Sequence, residues 1–166
     1  INPGNAAGIY QDLANDYAAI EPPTWSLLLA QSTRSVGYKV SIFDINAERL
    51  STEESVNKLN KMKARLFCFV IYGQNPNSGT VNMGGVKKIV DALKNQNNET
   101  PIALVGSHIS ALPYEVLSNE KSVDIIFANE GVYALRNLLK IDIKNKKALE
   151  EIKGIGFMLD GKPFLT

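Results

Sequence analysis

Three apolar runs constrain this chain more than any other feature: residues 66–72, residues 102–105 and the mostly apolar residues 123–127. A strand with one solvated face alternates apolar and polar side chains, so runs without that alternation suit strands covered on both faces. Between them the period changes, and residues 80–95 set Val86, Ile89, Val90 and Leu93 on one helical face. Strands alternating with helices at this spacing predict βαβ crossovers and a parallel sheet with helices on both sides. Right-handed crossovers then leave an α/β, doubly wound parallel sheet as the architecture.

Other segments take their places around that frame. Residues 1–4 read as the tail of a strand that begins upstream of Ile1. A helix is predicted over residues 25–36, with Thr24 as its N-cap and Gly37 as its stop. Residues 40–43 read as a strand ending at Asp44. Ser51 and Glu54 have the spacing of a capping box that opens a helix through residue 62. A short helix over residues 113–118 precedes the last apolar run, and a helix over residues 130–139 follows it. Residues 156–165 read as a hairpin around Asp160-Gly161. The division expected is a domain over residues 1–153 with residues 154–166 as a hairpin appendage leading out of it.

Composition excludes several classes. At 166 residues, 45% hydrophobic and 21% charged, the chain can close a single core. A net charge of +1 gives no field for nucleic acid or an anionic membrane. Cys68 is the only cysteine, so neither a disulfide nor a cysteine cluster for zinc or iron can form, and between Phe67 and Phe69 it reads as a small hydrophobe. Without a membrane-length apolar run or a signal segment, the reading is cytoplasmic.

Ligands of open α/β sheets bind at the strands' carboxyl ends. The loops expected there span residues 3–24, 44–50, 73–80, 106–112 and 128–131, and they are rich in glycine and in short hydroxyl and amide side chains. Glycine lets a ligand approach the backbone, and short polar groups bond it without filling the space. A large polar ligand suits that combination. The phosphate loop ending in Gly-Lys-Ser/Thr is absent, as is Gly-x-Gly-x-x-Gly. A receiver domain would need an acidic phosphoacceptor where Gly73 stands and a lysine near Asn129. His108 is the only histidine, and no carboxylate close in sequence would place it in a nucleophilic triad or a metal cluster.

A family emerges from these residues in order. Glu21-Pro22-Pro23 precedes a helix; Asp44, Asn46 and Glu48 follow a strand; Tyr72-Gly73-Gln74-Asn75, Ser78 and Thr80 follow the next; then come Gly106-Ser107-His108, Ser110, Ala111-Leu112-Pro113 and Asn129-Glu130-Gly131. Along essentially the whole chain the pattern resembles the N-terminal cobalamin-binding domain of cobalamin-dependent radical S-adenosylmethionine enzymes. The resemblance implies a flavodoxin-like or Rossmann-like sheet with cobalamin over its strand ends. It implies cofactor contacts from Pro23, Asp44, Asn46, Tyr72, Gly73, Gln74, Asn75, Ser78, Thr80, Gly106, Ser107, His108, Ser110, Ala111, Leu112, Asn129, Glu130 and Gly131. Gly106 would let the cofactor's nucleotide tail pass the backbone, although Ser107 replaces a second glycine common in the family.

A further departure concerns cobalt. Histidine-ligated cobalamin domains carry Asp-x-His-x-x-Gly, and here Asp44-Ile45-Asn46-Ala47-Glu48-Arg49 sets Asn46 at the histidine and Arg49 at the glycine. Base-off cobalamin without a protein histidine ligand is therefore what the resemblance implies. A radical S-adenosylmethionine cluster needs three cysteines close in sequence, so S-adenosylmethionine and a 4Fe-4S cluster are expected only in a downstream domain of the same polypeptide. The expected role is the cofactor-holding module of a methyltransferase or related radical enzyme, with no catalytic residue of its own. The rival expectation is a flavodoxin-like domain without cofactor, serving as a docking or small-molecule-binding module.

Overall fold

In a computed structural model, which describes residues 1–4, 20–72 and 76–166 apart from the side chains of residues 76–78, the apolar runs become adjacent parallel strands. Strand β1 (Phe67–Ile71) pairs in parallel with β2 (Ile102–Gly106), and β2 with β3 (Ile125–Phe127). Side chains then alternate between two cores. Phe67, Phe69, Ile71, Ile102, Leu104 and Ile126 point to one face. Val70, Ala103, Val105, Ile125 and Phe127 point to the other. Because both faces are covered, no strand position can be left polar, and this is why the runs lack alternation.

Helices cover both sides. On the first face lie α2 (Thr52–Asn60) and α3 (Pro76–Asn95), with the shorter α4 (Ser107–Ala111) and α5 (Pro113–Asn119). On the second lie α1 (Thr24–Arg34), α6 (Val132–Leu138) and α7 (Lys146–Glu150). The capping box forms as the sequence predicts: Glu54 N donates to Ser51 Oγ at 3.2 Å, and Ser51 N donates to the Glu54 carboxylate at 2.9 Å.

Three local expectations are corrected. Pro23, not Thr24, caps α1, because its carbonyl already accepts the first helical bond from Leu27 N at 2.9 Å. Residues 107–111 are helical rather than loop, with the turn closed by Leu112 N donating to His108 O at 3.0 Å. Residues 40–43 form no ladder; among the described residues that segment pairs through the single parallel bridge of Asn2 with Asp44. A strand exists only where a neighbouring backbone takes its bonds, and residues 38–43 instead wall a groove of about 490 Å³.

The opening residues join the sheet. Ile1 N donates to Cys68 O at 2.7 Å, and Val70 N donates to Ile1 O at 2.9 Å. On the other side Asn2 N donates to Phe43 O at 2.9 Å, and Ile45 N to Asn2 O at 3.0 Å. The hairpin is also present. Strand β4 (Ile155–Leu159) runs antiparallel to β3, and β5 (Lys162–Leu165) returns beside it, so that the five-stranded sheet is mixed. Its turn residues Asp160 and Gly161 have φ of 50° and 78°, as a primed two-residue turn requires.

Candidate functional site

In chain order the parallel segments are residues 1–2, residues 43–45, β1, β2 and β3. In space they run second, first, third, fourth, fifth. The order reverses between residues 1–2 and β1, and open α/β sheets bind ligands outside the carboxyl ends at such a reversal. The described chain leaves Asn2, Asp44, β1, β2 and β3 on that edge.

The loop after Asp44 is held from within. Asp44 Oδ1 accepts from Asn2 Nδ2 at 2.8 Å and from Ala47 N at 3.0 Å. Glu48 N donates to Asp44 O and Leu50 N to Ile45 O, both at 3.1 Å, which folds residues 44–50 into a tight turn. Arg49 closes it with φ of 50°, the left-handed conformation that glycine adopts most easily. Asn46 lies against Gly4: a Cβ added to that glycine, at φ 37°, would sit 2.4 Å from Asn46 Cβ. Gly4 therefore lies directly against the Asn46 side chain.

The ends of β1 and β2 are packed more closely still. A Cβ on Gly106 would lie 2.2 Å from the carbonyl oxygen of Ile71, so the main chain of β1 itself requires a bare backbone there. A Cβ on Gly79 in α3 would lie 2.3 Å from Ser107 Oγ and 3.2 Å from the same carbonyl. This contact brings the first turns of α3 and α4 together. Across it Thr80 Oγ1 and His108 Nδ1 share a hydrogen bond of 3.0 Å. One ring nitrogen of the sole histidine is thereby committed to a neighbouring hydroxyl.

On the opposite face of the sheet, Tyr72 leaves the end of β1 half-buried, and its ring stacks on Trp25 at 4.6 Å and 28°. Burial raises the Tyr72 phenol above its ordinary value, and the Glu130 carboxylate adds to the rise. Asn129 Oδ1 accepts from Gly131 N at 2.9 Å, and Gly131, with φ of 74°, starts α6 against Phe127 and Val105. Pro23 is the half-buried cap of α1 beside Trp25.

The sequence-selected residues thus fall into groups at one edge: Asp44 and Asn46 beside Gly4; Thr80, Gly106, Ser107 and His108 on one face; Pro23, Tyr72, Asn129, Glu130 and Gly131 on the other. Ser110, Ala111 and Leu112 are exposed at the end of α4. Gly73, Gln74, Asn75 and the Ser78 side chain lie outside the described residues. Sequence reasoning passed over Trp25 and Gly4 as site residues, and took Gly79 only as one of the small residues of its loop. Trp25, the only tryptophan, directly after Pro-Pro-Thr, was the available signal.

The 490 Å³ groove is a different place, walled by residues 38–43, residues 62–68 and the inner face of α1 at the opposite end of β1. It offers apolar walls rather than converging polar groups. Half-buried Cys68 lines it, and burial pushes that thiol up to about 11. Among the described residues no three His, Cys, Asp or Glu side chains gather as a metal site, and no helix is long and apolar enough to cross a membrane.

The family described as B12 binding domain matches residues 10–139, and this chain belongs to that family. It is a cobalamin-binding domain. Its fold is similar to that of the radical S-adenosylmethionine methyltransferase TsrM from Kitasatospora setae. One structure of that enzyme, with tryptophan substrate and an S-adenosylmethionine analogue bound, matches with a TM-score of 0.71 and 13% identity over 90% of this chain. Another, with cobalamin and a 4Fe-4S cluster bound, matches with a TM-score of 0.70 and 13% identity over 85% of this chain. This chain spans 28% and 27% of the length of those two. No curated protein sequence matches it.

Proposed function

We propose that this chain holds cobalamin base-off, with no histidine of its own on cobalt, as the cofactor module of a radical S-adenosylmethionine methyltransferase or related radical enzyme. The observation that carries this reading is the turn after Asp44. In the resemblance Asn46 takes the histidine position of Asp-x-His-x-x-Gly, and an amide is a weak ligand beside imidazole. Arg49 meanwhile keeps the left-handed closure of the turn. The groups at the strand ends suit the cofactor: a corrin is rimmed by amides, and the edge offers short hydroxyl, carboxamide and carboxylate partners in Asp44, Asn46, Thr80, Ser107, Ser110, Asn129 and Glu130. Bound cobalamin supplies a cobalt-held methyl group, or a cobalt centre of adjustable oxidation state. The chain's own residues bind, orient and cover it.

Titration with hydroxocobalamin should change its visible spectrum, and the bound Co(II) form should show electron paramagnetic resonance without nitrogen splitting. Nitrogen splitting that disappears in His108→Ala would overturn the ligation claim. The cofactor-free docking reading draws on the exposed Leu27 and Leu28 of α1. It predicts no spectral change at high micromolar hydroxocobalamin, and that result would replace the proposal.

A further inference from the structure

We propose that the groove of about 490 Å³ beside β1 is a berth for one extended apolar peptide segment, which enters as a parallel strand in line with residues 1–2 and completes the sheet. No part of this depends on the cobalamin reading.

The walls define the shape of the occupant. Phe43, Leu59 and Phe67 line the groove from one core, and Leu29, Val70 and Leu135 line it from the other. It therefore crosses the plane of the sheet instead of lying on one face. A strand whose successive side chains alternate between the two cores fills such a slot. Residues 39–43 flank it over roughly 13 Å, the length of about four extended residues.

The backbone defines its chemistry. Ile1 N donates to Cys68 O and Ile1 O accepts from Val70 N, while Asn2 N donates to Phe43 O and Asn2 O accepts from Ile45 N. Residues 43–45 and β1 are thus held one strand apart. Alternate residues of a parallel strand bond to each side, and Phe67 N donates to Pro101 O on the side of β2. That alternation aims the Cys68 N–H and the Leu66 carbonyl into the groove from β1, and the Phe43 N–H and the Ser41 carbonyl from the other wall. None of the four has a hydrogen-bond partner among the described residues, although Phe43 is buried and Cys68 half-buried. Buried backbone groups call for partners, and an added strand supplies them on both sides, as in peptide recognition by strand addition. A hydrocarbon chain would leave all four unpaired. A seated strand would also steady Asn2, whose side chain donates to Asp44 Oδ1 at 2.8 Å at the far edge of the sheet.

The test lengthens the 166-residue chain at its amino end. One version adds Val-Ile-Val-Thr-Val ahead of Ile1, and a control adds Gly-Ser-Gly-Ser-Gly. Relative to the control, the apolar extension should raise Tm by roughly 5 °C or more and slow maleimide reaction at Cys68, the only cysteine, by about tenfold. An apolar extension that matches the control in either readout overturns the inference. Equal protection of Cys68 by dodecanoate in the unextended chain also overturns it, because the groove, with Lys39, Lys63 and Arg65 in its walls, would then be a site for anionic amphiphiles. If the apolar extension fails to fold, hydrogen exchange on the unextended chain decides. The Cys68 N–H should exchange about a hundredfold faster than those of Phe67 and Phe69 on either side of it, and equal protection of the three would overturn the inference.

Discussion

At the scale of single residues, glycines at this edge serve two different neighbours. Gly106 faces the carbonyl oxygen of Ile71, a main-chain atom that cannot move without breaking the β1 and β2 ladder. Gly79 chiefly faces a hydroxyl, which can rotate away. Gly106→Ala should therefore destabilise the protein by roughly 2–3 kcal/mol, the upper part of the overpacking range, whereas Gly79→Ala should cost about 1 kcal/mol or less. Urea midpoints of the two variants would check the order, and equal midpoints would contradict it. Sequence reading assigned the bare backbone at Gly106 to a passing ligand. The coordinates supply a nearer cause, which also means that a bulky residue there would disturb the sheet before it could report on binding.

At the scale of elements, the hairpin decides how far the sheet extends. Phe157 of β4 is fully buried, its ring edge-on to Phe164 at 5.6 Å, and its neighbours Ile125, Ile155 and Leu138 belong to the same core. Phe157→Ala should therefore behave as a core truncation, losing about 3–5 kcal/mol. A loss below about 1 kcal/mol by chemical denaturation would show that the hairpin is detachable. The apolar runs and the helical period made β1, β2, β3 and α3 legible, because burial on both faces writes itself into composition. The hairpin turn was legible from Asp160-Gly161. Its pairing with β3 was not, since residues that pack within a hairpin and residues that add to a sheet use the same alternation. The short helix after Gly106 was missed for a related reason: five residues are too few to display a period.

For the whole molecule, binding and folding are linked. A ligand that recognises only the folded chain raises its stability by about 2.7 kcal/mol at a hundred times Kd. For a protein of this size that is a Tm rise of roughly 5–10 °C. Hydroxocobalamin at saturating concentration should give this shift in a thermal melt, and an unchanged Tm would count against a site preformed on the fold. The strands' carboxyl ends, the absence of phosphate motifs and the Asn46 substitution could all be read along the chain. The sheet's strand order could not, because it depends on residues 1–2 lying between residues 43–45 and β1.

What the sequence by itself determined is the alternation of buried strands and amphipathic helices, the turn chemistry at Ser51 and Asp160-Gly161, and the lack of an imidazole after Asp44. Each follows from local spacing or residue type, which a linear reading can measure. Tertiary structure alone decided which loops meet: that Gly4 touches Asn46, that Gly79 touches Ser107, that Thr80 bonds His108, and that Trp25 stacks on Tyr72. These pairs lie far apart along the chain. Only the crossover of each helix over the sheet, driven by burial on two faces, brings them to one edge.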